Sequence, residues 1–160
     1  LHESYVEIAR DMEGWAVVSG FLDFNNAWWL TLWHDPGGAG VIDGYRAVWA
    51  SAIGPDRLQI QRLDNGAGTL IADVSGVALP FAGDLILFRT VGNDLQGWIS
   101  FDAGANWTQQ VTVTDATYRT DLHPGLGNST STKQADFSAF GGGATGAATR
   151  TLLPILHVGP

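Results

Sequence analysis

An all-β fold, a two-sheet antiparallel β-sandwich, is what this sequence predicts, on three observations. Apolar and polar residues alternate with a period of two through much of the chain, the pattern of half-buried strands. Turn signals separate the alternating runs at ~8–12 residues, the spacing found in sandwiches and barrels. Helical character is arguable only over residues 4–12, where Tyr5, Val6 and Ile8 favour strand, so helix content below ~10% is expected.

The first two expected strands are 5–10 and 16–24. The third, 27–34, carries Trp28, Leu30 and Leu32 on one face and Trp29, Thr31 and Trp33 on the other. Asp35-Pro-Gly-Gly turns the chain into 45–51, and Gly54-Pro-Asp into 57–64. In 57–64, Leu58 and Ile60 share one face and Arg57, Gln59 and Gln61 the other. Asp64-Asn-Gly66 supplies a turn whose Asn and Gly tolerate positive φ, and 69–74 answers as the partner strand. Pro80 and Ala82-Gly-Asp precede 84–91 and 95–101; Ala103-Gly-Ala-Asn precedes 109–114; and 133–140 closes the sandwich domain, 1–140. The Gly/Ala-rich stretch 141–149 reads as a flexible linker. The apolar tail 150–160 is expected to add a strand or dock on a neighbouring subunit, with Leu152, Leu153, Ile155 and Leu156 buried.

Length and composition bound the rest. The chain has 160 residues, enough for one domain and for a core that needs no disulfide or metal. It has no Cys, which excludes a disulfide scaffold, zinc-thiolate sites and thiol catalysis. Sixteen acidic residues against eight basic ones give a net charge of −8, a poor match for phosphate backbones or anionic membranes. Charged residues are only 15% of the chain, against a usual ~25%. No apolar stretch approaches the ~20 residues of a membrane helix, and Leu1-His-Glu-Ser4 has neither a basic start nor an apolar run. Because the chain starts without Met and a strand is expected almost at once, a processed chain, an excised domain or an incomplete one is expected.

Six segments carry a resemblance. They are Gly44-Tyr-Arg-Ala-Val-Trp49, Leu58-Gln-Ile-Gln-Arg-Leu63, Gly83-Asp-Leu-Ile-Leu-Phe88, Val111-Thr-Val-Thr-Asp-Ala-Thr-Tyr118, Pro124-Gly-Leu-Gly127 and Ala135-Asp-Phe-Ser138. Together their strand grammar resembles the concanavalin A-like jelly-roll superfamily, laminin G-like members included. The resemblance implies a jelly-roll sandwich. It also implies the settings in which such domains occur: bacterial glycan-handling proteins, and tail, fibre or decoration proteins of phages. Fold alone does not fix function.

Three constellations are candidates for more than packing. Ser100-Phe-Asp102-Ala-Gly104-Ala-Asn-Trp107 resembles the Asp-box. There Asp102 is expected to accept backbone N–H bonds across a tight turn, Gly104 to take positive φ and Trp107 to fold back on the hairpin, a structural staple. Trp29 and Trp33, joined by Trp49 and with Tyr45 and Asp43 at the rim, form a candidate carbohydrate platform. Trp29 and Trp33 are expected roughly 6.6–7 Å apart along the strand, near the spacing of sugar rings. The competing reading buries these rings under another layer, loop or subunit. Asp35 and Asp43, in a Gly-rich loop, could hold Ca²⁺ with backbone carbonyls, the one metal considered; a plain turn with solvated carboxylates is the competing reading.

Catalytic patterns are missing from the sequence. The jelly-roll glucanases use a Glu-x-Asp-x-x-Glu strand, whereas Glu3, Glu7 and Glu13 all lie near the N-terminus. The four His, at 2, 34, 123 and 157, have no metal spacing. The expectation is therefore a non-catalytic virion structural protein, a phage tail or capsid-surface component with a glycan-binding adhesion role. It would meet other virion or self subunits through its tail and a cell-surface glycan through its aromatics, without nucleic acid or membrane insertion. The alternative is a secreted bacterial carbohydrate-binding module from a larger glycan-active protein. The location is accordingly virion surface or extracellular.

Overall fold

The computed structural model describes residues 11–19, 26–34, 43–51, 55–118, 122–129, 137–144 and 153–154. In chain order these form strands β1 (Met12–Val18), β2 (Asn26–His34), β3 (Asp43–Ser51), β4 (Arg57–Asp64), β5 (Ala67–Ser75), β6 (Leu85–Val91), β7 (Asp94–Ser100), β8 (Thr108–Thr114), β9 (Leu122–Ser129), β10 (Phe137–Ala144) and β11 (Leu153–Pro154). No helix occurs among the described residues. The strands build two sheets, β11-β10-β1-β6-β7-β8 and β5-β4-β3-β2-β9. Every strand pair is antiparallel. The protein is thus an all-β, two-sheet antiparallel sandwich, compatible with a jelly-roll, as the alternation predicts.

Alternation fills the core. From the five-stranded sheet come Trp28, Leu30, Leu32, Tyr45, Ala47, Trp49, Leu58 and Ile60; from the six-stranded sheet come Ala16, Val18, Ile86, Phe88, Leu95, Ile99 and Val111. Each fully buried large side chain contributes about 1.5–3 kcal/mol relative to exposure. The indole N–H groups of Trp28 and Trp49 are buried without hydrogen-bond partners among the described residues. Those rings serve the core as apolar bulk, at a cost of about 1–3 kcal/mol for each unmade bond.

The turns follow their chemistry. Asn65 and Gly66 both take positive φ, 51° and 80°, closing the β4–β5 hairpin in two residues. In the loop between β7 and β8, Ser100 Oγ donates to Asp102 Oδ1 at 2.8 Å and accepts the Gly104 N–H at 2.9 Å. Asn106 donates its backbone N–H to Asp102 Oδ1 at 2.7 Å and its side-chain amide to Oδ2 at 2.6 Å. Gly104 has φ 92°, and a Cβ there would lie 3.9 Å from the half-buried Trp107 ring. The Asp-box is therefore the expected hairpin staple. The Asn106 donors, backbone first, and the Ser100 hydroxyl hold the Asp102 carboxyl below its ordinary range.

Four expectations about elements need correction or fall outside the described residues. The strand expected at 16–24 begins at Met12 instead, and 20–25 lie outside the described residues, as does the strand expected at 5–10. The segment Leu122–Ser129, absent from the expected strands, is β9. Residues Gly141 to Ala144 belong to β10 rather than to a linker. Two of the strand's three glycines are required by contact: a Cβ at Gly141 would strike the Trp15 indole, and one at Gly142 would lie 2.6 Å from Pro124 Cβ. Residues 145–149 lie outside the described set. Of the tail, Leu153–Pro154 pairs with Ala139 and Phe140 as β11.

A polar network closes one end of the sandwich. Tyr45 OH donates to Asp115 Oδ1 at 2.8 Å and accepts the Tyr118 N–H at 2.9 Å. Arg62 donates to Asp64 at 3.0 Å and to Asp115 Oδ2 at 3.2 Å, and Tyr118 OH donates to Asp64 Oδ1 at 2.7 Å. The Tyr118 ring meets those of His34 and Tyr45 at 5.2 and 5.7 Å. Burial, then the Asp115 bond and charge, pushes the Tyr45 phenol up to about 12; burial and Asp64 push Tyr118 up to about 12. Both phenols are favoured neutral in the folded chain, so their contribution is complete below pH 10 and is lost as pH rises from 10 through about 12. Tyr45→Phe should lower stability at pH 8 and flatten its decline between pH 10 and 12. Denaturant unfolding at a series of pH values checks this; an equally steep decline in the variant would refute the role of Tyr45.

Candidate functional site

The outer face of the five-stranded sheet is the candidate site. Strand alternation sends Trp28, Leu30 and Leu32 inward, so Trp29, Thr31 and Trp33 of β2 face outward. Trp29 and Trp33 are half-buried; Thr31 between them is fully buried and its hydroxyl has no hydrogen-bond partner among the described residues. On the edge strand β9, Gly127 lies opposite Trp29 and Gly125 opposite Thr31. A Cβ at Gly127 would strike the Trp29 indole, and one at Gly125 would lie 3.0 Å from Trp33 Cδ1. The two glycines let both rings lie across β9.

On the other side of β2 the face becomes polar. Arg46 of β3 places its guanidinium carbon 5.2 Å from the Trp29 ring centroid, within cation–π range. Its Nε donates to Gln61 Oε1 at 3.2 Å, and Nη2 donates to the same oxygen. Gln61 Nε2 donates to Gln59 Oε1 at 3.2 Å, and Gln59 Nε2 to Asp73 Oδ2 at 3.3 Å. Arg57 meets that same Asp73 oxygen at 3.2 Å. A row of donors and acceptors thus runs from Trp29 across β3, β4 and β5. Burial lowers the Arg46 pKa from its ordinary value, but guanidinium stays cationic at neutral pH. This combination can stack an apolar ring face on indole while hydrogen-bonding hydroxyls beside it.

The structure separates the expected platform residues. Trp29 and Trp33 share the outer face as expected. They stand four positions apart in the strand, so at ~3.3 Å per residue their Cα atoms are about 13 Å apart, twice the expected spacing. Trp49 and Tyr45 are not on this face. Register pairs Trp49 with Trp28 and Tyr45 with Leu32, which turns both into the core at 0% exposure. Asp43 stands opposite His34 and accepts the Asn65 N–H at 2.6 Å, pinning the β4–β5 turn rather than lining the platform. Asp35 lies outside the described residues, and no group of three or more metal-ligating side chains occurs among those described.

Arg46, Gln59, Gln61, Asp73 and Arg57 were not among the expected site residues. The alternation of 57–64 already sets Arg57, Gln59 and Gln61 on one face. What it lacks is the register that brings this face beside Trp29: Val48 pairs with Trp29 on one side and with Gln59 on the other. No protein-family model matches the chain, and no curated protein matches it.

Proposed function

We propose that this protein is a non-catalytic, glycan-binding jelly-roll domain of the concanavalin A-like kind, working at a virion surface as a phage tail or capsid-surface component. Half-buried tryptophans on an outer sheet face, bordered by a continuous row of Arg, Gln and Asp, carry this reading. Indoles supply stacking surface without charge, and the row supplies the oriented donors and acceptors that fix a sugar. Tryptophan fluorescence titrated with bacterial cell-wall glycans tests it, on wild type and on Trp33→Ala. Wild-type emission should change saturably and the variant should lose most of the response while keeping its melting temperature within a few degrees. Equal responses from both proteins, or none from the wild type, would overturn the proposal.

A further inference from the structure

Building on that glycan reading and dependent on it, we propose that the site selects an acidic sugar, one whose carboxylate is received by Arg46. Four arginines lie among the described residues, and two of them have carboxylate partners: Arg57 pairs with Asp73, and Arg62 with Asp64 and Asp115. Arg89 lies over the Trp98 ring at 4.7 Å and faces Glu13 across the β1–β6 pair. Arg46 makes no ion pair among the described residues; its contacts are the Trp29 ring and a single amide oxygen of Gln61. Its cross-strand neighbours on the outer face are Thr31 and Gln61, neither of them acidic. Asp73, two strands away, is already engaged by Arg57 and Gln59.

A half-buried cation with no counter-charge among the described residues, in a chain of net charge −8, is suited to receive an anion from a ligand. Two of the guanidinium's three nitrogens face Gln61, which leaves Nη1 without a partner among the described residues. A carboxylate engages guanidinium more strongly than a neutral hydroxyl does, through charge-assisted hydrogen bonds. The rest of the face favours sugar over a bare anion. Trp29 and Trp33 flank the position with apolar rings, and Gln61 and Gln59 continue it with amides suited to hydroxyls. A phosphate polymer fits less well, since one unpaired arginine on a chain of net charge −8 gives little counterion-release gain.

The test measures affinity by calorimetry for matched ligand pairs: oligogalacturonate against neutral oligogalactoside of equal length, and 3′-sialyllactose against lactose. The two pairs distinguish a uronate within a chain from a terminal acidic sugar. Wild type should bind at least one acidic member at least 10-fold more tightly than its neutral partner, with affinity falling as salt rises from 50 to 500 mM. Arg46→Gln should bring the two affinities within about 2-fold, and Arg46→Lys should restore part of the preference. Should Arg46→Gln fail to fold, the wild-type selectivity and its salt dependence decide. Neutral sugars bound as tightly as acidic ones would overturn the acidic preference and leave the glycan reading standing. Binding of none of the four would count against both.

Discussion

Trp49→Ala is expected to destabilise the protein by about 3–5 kcal/mol, the range for removing a buried aromatic ring from a core. Trp49 has no exposure and packs on the same inner face as its cross-strand neighbour Trp28. Edge relaxation cannot refill the space, because β3 lies at the centre of the five-stranded sheet. Trp49→Phe should cost much less, since it keeps a ring and removes an indole N–H that has no partner among the described residues. Chemical denaturation of both variants checks this. A Trp49→Ala protein as stable as wild type would mean that the ring is not in the core.

Gly127→Val should cost about 1–3 kcal/mol, the penalty for forcing atoms into occupied space. The Gly127 backbone does not lie in the left-handed region, so the effect is purely steric. Even a Cβ there meets the Trp29 indole. In a Trp29→Ala background the same substitution should therefore cost almost nothing, and β-branching could even favour the strand. A double-mutant cycle reads this directly. Additive effects would show that the ring does not lie on β9. The single variant should also weaken glycan binding by displacing Trp29.

The fold was largely legible because turn signals bracket β2 to β8 and alternation is clear in strands such as β4 and β7, and the strand ends fall within a residue or two of expectation. Where legibility failed, glycine was the reason. β9 reads Leu-His-Pro-Gly-Leu-Gly-Asn-Ser, with Gly125 and Gly127 at the outward positions where alternation should show side chains. Their missing side chains are supplied by Trp29 and Trp33 from β2. Likewise Gly141 and Gly142 resemble a linker in composition, yet they make room for Trp15 and Pro124. A glycine's purpose lies in its neighbour, which local sequence does not name.

The site was half legible for a related reason. Alternation within β2 assigns Trp29 and Trp33 to one face without further information. Placing Trp49 and Tyr45 requires the register between β2 and β3, and a one-residue slip moves a whole strand's side chains to the other face. Asp43 was identified as a rim residue by position alone, whereas its carboxylate serves the turn at the end of the neighbouring strand β4.

The glycan reading is tested most directly by the indole N–H resonances of the seven tryptophans during titration with the best-bound oligosaccharide. The Trp29 and Trp33 resonances should shift together and saturate with one dissociation constant, while those of Trp28 and Trp49 stay in place. Shifts absent from Trp29 and Trp33, or strongest at Trp98 on the opposite sheet, would contradict the assignment of this face.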